Sequence, residues 1–289
     1  MHRVLSSILF SSTYKASTLL LPEALFCYYN ARLYLIAFSE NQLENDMSNA
    51  VLLNNVEHKD LRVDASLSAD YGDNVNRALA FSGEFGDLQK EYPILFYKDP
   101  KAETFQAHVI LGLEKDENLF LGDQGWQGHY VPAVLARGPF MIGFQEREVE
   151  GKKVKEPVIH IDMDNPRVGS DKGQPLFLAY GGDTPYLEKM MQTLQVIHQG
   201  AALDERLFST INEMELFEPV NIEISLSNIA NVNLRDYYTI NKDKLAQLNG
   251  DSLEKLNKMG LLGLMYFALV SLGNFNKLIT MKNKKMAIA

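Results

Sequence analysis

The sequence predicts an α+β protein: a β-rich N-terminal half with a mixed or antiparallel sheet, followed by two helices, a β-hairpin and C-terminal helices. Three observations predict this class. Short apolar segments between Gly, Pro and Asp turns fill residues 76–180, helical spacing of apolar residues begins after Thr184, and apolar and polar residues alternate after Pro219. This order, with strands first and helices later, is typical of α+β proteins.

The β-rich half is expected to contain short strands. Two segments, "PILFY" and "HVILGL", are apolar on both faces, so they are expected in the middle of a sheet that is covered on both sides. The predicted strands are 78–81, 93–97, 105–111, 118–121, 140–144, 158–163 and 176–180.

Two helices are expected after this half. Thr184 is a suitable N-cap, and Pro185 fits the first helical position because its missing N–H would have no partner there. Gly200 separates the first predicted helix from the second. The apolar face of the first comprises Leu187, Met190, Met191, Leu194, Ile197 and His198, and that of the second comprises Leu203, Leu207, Phe208, Ile211 and Met214.

The alternation in "VNIEISL", directly after Pro219, is typical of a half-buried strand. A second strand around residues 235–240 is expected to pair with it as a hairpin. Asn241 is expected to cap the next helix, and Asp251 with Glu254 has capping-box spacing for the helix after that. The C-terminal part is therefore predicted to be helical.

An apolar stretch at residues 259–273 includes Gly260, which is suited to end the preceding helix. A helix that spans a bilayer needs roughly 20 apolar residues, and this stretch is shorter. We therefore expect no integral membrane span. A buried core helix is the favoured interpretation, with a peripheral membrane helix as the alternative.

The composition is that of a globular protein, with 289 residues of which 46% are hydrophobic and 22% charged. The formal net charge of −9 disfavours nucleic-acid binding, which requires a basic surface. The only cysteine, Cys27, excludes an intramolecular disulfide and cysteine-rich zinc sites. We expect no cofactor, because Walker, dinucleotide-binding and metalloprotease motifs do not occur.

Residues 1–46 differ in character from the rest, since two apolar stretches there are interrupted by charged residues and Pro22. The first stretch is short for a signal-peptide core, and no convincing cleavage site follows it. We expect Met47 to be the true start, residues 1–46 to be a non-native or disordered extension, and residues 47–289 to form a single domain. A cytoplasmic location is expected.

The segment "IHIDMD" places His160 and Asp162 on one face of a predicted strand, while Ile159 and Ile161 occupy the other. The His-x-Asp spacing supplies two of the three ligands of a non-haem iron site, which needs a second histidine. The downstream candidate, His198, lies on an apolar helical face. A polar strand face is therefore favoured, and a metal site at His160 and Asp162 is the alternative.

The segment "LGDQGWQGHYVP" surrounds the only tryptophan with three glycines. The glycines could allow a ligand to approach the backbone, with Trp126 and Tyr130 as stacking surfaces. The alternative is a turn closed by an aromatic side chain.

Several segments together resemble the SapC family of bacterial proteins, which is named for a component of a surface-layer (S-layer) locus. They are "VLLNNVEHKDLRV", "EYPILFYKD", "LFLGDQGWQGHYVP", "RGPFMIGF", "IHIDMDNPRV", "GGDTPYLEKM", "YYTINKDKLAQL" and "SLGNFNKLI". The resemblance begins after Met47. It implies a role in S-layer or cell-envelope biology and possible association with the cell surface, and it carries over no catalytic residues.

Two functions are compatible with these observations. The first is a non-catalytic binding or assembly protein that recognises an envelope or S-layer protein, or a small ligand, through a cleft near Trp126, Tyr130 and Arg137. The second is a metal-dependent oxygenase or hydrolase centred on His160 and Asp162.

Overall fold

A computed structural model describes residues 49–122, 125–149, 152–226 and 231–288. The strands are β1 (Ala50–Leu52), β2 (Arg62–Val63), β3 (Arg77–Ala80), β4 (Ile94–Lys98), β5 (Phe105–Ile110), β6 (Leu121–Gly122), β7 (Gly125–Trp126), β8 (Phe140–Val149), β9 (Lys152–Asp162), β10 (Gln174–Pro175), β11 (Phe217–Ser225) and β12 (Asn231–Ile240). The helices are α1 (Phe85–Leu88), α2 (Ala133–Ala136), α3 (Pro185–Glu213), α4 (Lys242–Ala246), α5 (Gly250–Lys258), α6 (Leu261–Ser271) and α7 (Phe275–Ile288). The fold is α+β, as predicted.

The chain divides into two compact units, each built from separate stretches of sequence. Among the described residues, the first unit combines residues 49–65 with Arg137–His198, and the second combines Ser66–Ala136 with residues 199–288. Residues 1–46 lie outside the described residues, so the expected extension and the single domain from Met47 stay predictions.

The first unit contains an antiparallel sheet in the order β1-β9-β8 and a two-stranded sheet of β10 and β2. Thr184 caps α3, because its hydroxyl accepts a hydrogen bond from Leu187 N at 3.3 Å and Pro185 occupies the first helical position. The apolar side chains of the sheet and of α3 form one core, which comprises Leu53, Val63, Phe140, Ile159, Ile161, Leu176, Phe177, Leu187, Met190 and Leu194.

The second unit contains a five-stranded antiparallel sheet in the order β11-β12-β4-β5-β3. All six residues of β5 are buried, which confirms that this segment lies inside a covered sheet. The predicted hairpin is present as β11 and β12. The hydrophobic core of the second unit includes Phe85, Leu88, Tyr92, Ile94, Phe96, Val109, Phe120, Phe208, Ile211, Ile240, Leu261 and Met265.

Two predicted strands are absent from the secondary structure. Residues 118–120 form a loop and turn, with a strand only at β6, and residues 178–182 form a turn after the single bridge between Phe177 and Asp183. Residues 118–120 are buried, whereas in the second segment Leu176 and Phe177 are buried and Leu178 and Tyr180 are exposed. A short apolar run therefore does not by itself identify a strand.

The two helices predicted around Gly200 are one continuous helix, α3. A Cβ atom at Gly200 would lie 2.6 Å from the Cβ of Phe81, so the glycine permits close packing and does not end the helix. Leu203, predicted to face inward, is 54% exposed.

The C-terminal helices follow the predicted boundaries with one change of cap. Asn241 Oδ1 accepts a hydrogen bond from Lys244 N at 2.8 Å, as expected for the N-cap of α4. Helix α5 is capped by Asn249, whose Oδ1 accepts from Ser252 N at 2.9 Å, and the predicted cap at Asp251 is wrong. Gly260 has φ +74° at the junction between α5 and α6, which confirms its predicted role.

Candidate functional site

Trp126 lies in the second unit and is fixed by contacts within that unit. Its indole Nε1 donates to Tyr92 Oη at 3.1 Å and to the carbonyl oxygen of Tyr130 at 3.2 Å. Its ring stacks on Phe120, with 5.9 Å between the ring centroids. Because the N–H and one ring face already have partners, these contacts fit a turn closed by an aromatic side chain.

Gly128 explains part of the glycine pattern around the tryptophan. A Cβ atom there would lie 2.4 Å from Tyr92 Oη and 2.8 Å from Trp126 Nε1. The missing side chain therefore lets the loop at residues 125–132 pack against these two polar atoms. The glycine is required by this internal approach, whether or not a ligand binds.

Tyr130 connects the loop to a buried carboxyl group. Its hydroxyl donates to Glu84 Oε2 at 2.9 Å, and Glu84 also accepts from Phe81 N at 3.0 Å and Ala133 N at 2.9 Å. Burial raises the pKa of Glu84 to about 7, against the effect of these three donors, and the Asp204 carboxylate adds to the rise.

Asp204 is a second buried carboxyl group of the same unit. It accepts hydrogen bonds from Ser82 N at 2.9 Å and from the Ser82 hydroxyl. Burial raises the pKa of Asp204 to about 6. The sequence did not single out this pair, since 120 residues separate the two carboxyl groups. The only local signal is Glu84 at a helix start, where glutamate often accepts from backbone N–H groups.

Glu91 joins the loop to the C-terminal helix α7. Its carboxylate accepts from His129 N at 2.8 Å, from His129 Nδ1 at 3.0 Å and from Lys277 Nζ at 3.1 Å. Burial opposes the charge, but these donors outweigh it and lower the pKa of Glu91. The His129 side chain is exposed and oriented by Glu91. No sequence pattern connects these three residues, so sequence reasoning missed them.

Arg137, the third residue of the predicted cleft, belongs to the first unit. It is buried, and its Nη1 donates to the carbonyl oxygen of Phe140 at 2.9 Å. Trp126 and Tyr130 are thus brought together by the fold, while Arg137 stabilises the start of β8.

His160 and Asp162 lie on β9, on the face opposite buried Ile159 and Ile161, as predicted. Asp162 Oδ1 accepts from Asp164 N at 3.1 Å, which closes the turn after the strand. The imidazole of His160 covers Gly143, where a Cβ atom would lie 2.2 Å from the ring, and its buried Nδ1 has no hydrogen-bond partner.

In the part of the chain that the structure describes, no second histidine of an iron site lies next to this pair. Within the described ranges, no group of three or more His, Cys, Asp or Glu residues could hold a metal ion. His198 contacts the ring of Phe144 at a centroid distance of 6.0 Å. The arrangement supports a polar strand face at His160 and Asp162.

The turn at residues 178–182 of the first unit displays large apolar side chains. Leu178 is 51% exposed and Tyr180 is fully exposed. The backbone is held by hydrogen bonds from Leu178 N to Gly182 O at 2.6 Å and from Gly181 N to Leu178 O at 2.8 Å. Asn55 Nδ2 also donates to Gly181 O at 2.8 Å, and Gly181 has φ +87°. The turn is therefore fixed while its two largest side chains face solvent.

Comparison with known proteins identifies one family. The sequence profile of the SapC family matches residues 53–278. No curated protein and no solved structure matches the chain. Since the matched region covers most of the sequence, the chain belongs to the SapC family.

Proposed function

We propose that the protein is a non-catalytic binding or assembly protein that serves the bacterial cell envelope or its S-layer. The observation that carries this proposal is the turn at residues 178–182, which exposes Leu178 and Tyr180 on a fixed backbone. The loop at residues 125–132 supports the proposal less than this turn does, because Trp126 and Tyr130 use their donors inside the protein. The envelope assignment rests on the resemblance to the SapC family.

The partner that this turn fits best is another protein. Tyrosine contributes a large rigid contact area together with a hydroxyl group, and it is enriched among the residues that dominate protein–protein binding. Tyr180 is flanked by the small residues Ala179, Gly181 and Gly182, so its side chain is accessible from both sides. A fully exposed side chain offers no concave surface of the kind that encloses a small ligand.

The test is site-specific photo-cross-linking in the bacterial host. A photoreactive phenylalanine derivative at position 180 is expected to form an adduct with one envelope or S-layer protein. The affinity of the purified pair is then measured for the wild type and for Tyr180→Ser. We expect at least a tenfold weaker affinity, because loss of a central interface tyrosine typically costs about 2 kcal/mol or more.

Ala179→Ser is the matched control, since it changes the same turn without removing a large side chain, and it is expected to bind like the wild type. A probe at position 180 that yields no envelope or S-layer adduct in cells would contradict the proposal. So would equal affinities of the Tyr180→Ser variant and the wild type.

A further inference from the structure

Helix α6 is apolar around its whole circumference, yet the second unit covers only one side of it. Leu261, Met265 and Ala268 are fully buried. On the other side, Tyr266 is 53% exposed, Phe267 37% and Val270 66%. A helix without a polar face normally has apolar surroundings on every side, so the exposed side lacks the environment for which it is suited.

The helix continues through a short 3₁₀ turn, Leu272–Asn274, into α7. Among the described residues, Leu261–Ala287 is one helix that is long and apolar enough to cross a bilayer. Only 22% of its apolar 18-residue segment is buried. Length and apolarity alone do not decide between a helix that spans a bilayer and one that lies on its surface.

The contacts of the buried side favour a helix that lies on a surface. The Ser271 hydroxyl accepts a hydrogen bond from Ile94 N at 2.9 Å, within the sheet of the second unit. Lys282 Nζ lies 2.8 Å from both Glu114 Oε2 and Glu117 Oε1. A spanning orientation would break these contacts and leave a lysine in hydrocarbon. Transfer of a charged lysine from water to hydrocarbon costs several kilocalories per mole.

Basic residues follow the exposed apolar side along the same helix. Steps of three and four residues lead from Tyr266 and Val270 to Lys277 and Lys284. Lys277 is paired with Glu91 and Lys285 with Glu117 at 3.7 Å, whereas Lys284 is exposed near the end of α7. Aromatic and aliphatic side chains next to lysines are typical of helices that lie in the interface of an anionic bilayer.

A second copy of the chain is a weaker candidate for this surface. The exposed parts of Tyr266, Phe267 and Val270 amount to on the order of 300 Å², judged from the usual areas of such side chains. A stable protein–protein interface buries about 800 Å² per partner. A bilayer needs no complementary partner surface, so a few inserted side chains suffice for reversible binding.

We propose that the exposed side of α6 is a peripheral membrane contact. Tyr266, Phe267 and Val270 enter the interface of an anionic bilayer, and Lys284 meets the phosphate head groups. This surface and the turn at residues 178–182 are separate in sequence, so this inference stands or fails independently of the proposed protein partner.

The experiment is co-sedimentation of the full chain with vesicles of phosphatidylethanolamine and phosphatidylglycerol, beside vesicles of phosphatidylcholine alone. The wild type is expected to sediment with the anionic vesicles. Tyr266→Ser combined with Val270→Ser should lower the partition coefficient at least tenfold, because two inserted apolar side chains are lost. Lys284→Glu should weaken binding to anionic vesicles selectively.

Leu203→Ser is the matched control, since it removes an equally exposed apolar side chain from another helix of the same unit. It should leave the partition coefficient unchanged. A wild type that stays in the supernatant with anionic vesicles overturns the proposal, as does a double variant that binds like the wild type. Self-association that disappears in the double variant also overturns it, in favour of a second copy.

A second measurement does not depend on loss of binding. Val270→Cys in a Cys27→Ser background carries a polarity-sensitive fluorophore. Anionic vesicles should shift its emission to the blue, because position 270 moves from water into the bilayer interface. An unchanged emission spectrum with vesicle-bound protein would contradict insertion of this side of the helix.

Discussion

Glu84 shows how burial and hydrogen bonding compete at a single residue. Three donors stabilise its charged form, but burial outweighs them and raises its pKa from 4.5 to about 7. The unfolded chain therefore loses its proton from this group at a lower pH than the folded protein does. The stabilisation that this group contributes is complete below pH 4.5 and is lost as the pH rises through 7.

Replacement of Glu84 should remove much of this pH dependence. Since one pKa unit corresponds to about 1.4 kcal/mol, Glu84 accounts for about 3 kcal/mol of the stability lost between acidic and mildly alkaline pH. The Glu84→Gln variant should retain the part that arises from the other groups with shifted pKa values, among them Asp204 and Glu91. The check is the free energy of unfolding from urea titrations across that pH range. Glu223→Gln, at an exposed position of β11, is the control, and identical slopes for Glu84→Gln and wild type would refute the assignment.

Whether His160 binds a metal ion distinguishes the proposed binding protein from the alternative, a metal-dependent enzyme. Its ring packs over Gly143 on the polar face of the sheet, and no metal-binding group surrounds it among the described residues. The His160→Ala variant should therefore have the same metal content as the wild type. Elemental analysis after growth with added iron and zinc tests this expectation. About one metal ion per chain that disappears in the variant would instead favour a metal-dependent oxygenase or hydrolase.

At the scale of elements, patterns with a strict period predicted the structure well. The alternation of β11, the cap and first turn of α3 and the glycine before α6 were all predicted, because each depends on residues close in sequence. The segments 118–121 and 176–180 were predicted wrongly as strands. A short apolar run does not distinguish a strand from a loop or turn: residues 118–120 are buried, whereas Leu178 and Tyr180 of the second segment are exposed.

Gly200 provides a direct test of helix packing. Replacement of a helical glycine by alanine normally stabilises an exposed helix by up to about 1 kcal/mol. At Gly200 the added methyl group would meet Phe81 at 2.6 Å, so Gly200→Ala should destabilise the protein by about 1–3 kcal/mol.

Gly263 is the matched control for this substitution, because it lies in α6 with no atom within 4 Å of an added Cβ. Gly263→Ala should leave stability unchanged or raise it. Both variants are compared by urea denaturation. If Gly200→Ala were as stable as the wild type, the glycine would not be required for this contact.

At the scale of the whole molecule, the sequence could not predict which distant segments join. Each unit combines two separated stretches, so neither unit corresponds to a continuous range of residues. The charge of Asp204 affects Glu84, and Glu91 forms an ion pair with Lys277, although no local sequence pattern indicates either interaction. For the same reason, the sequence indicated the roles of Trp126 and Tyr130 in the loop at residues 125–132 but not their buried partners. Those partners occupy the hydrogen-bond donors of both side chains.

The pairing of β1 with β9 also affects how the protein is made. During synthesis, the N-terminal edge strand leaves the ribosome about a hundred residues before its partner. At 5–20 residues per second, its backbone amides wait roughly 5–20 seconds without their native acceptors. Throughout that interval the segment of β1 has no native partner and is open to wrong pairing, which is the kind of exposure that chaperones limit.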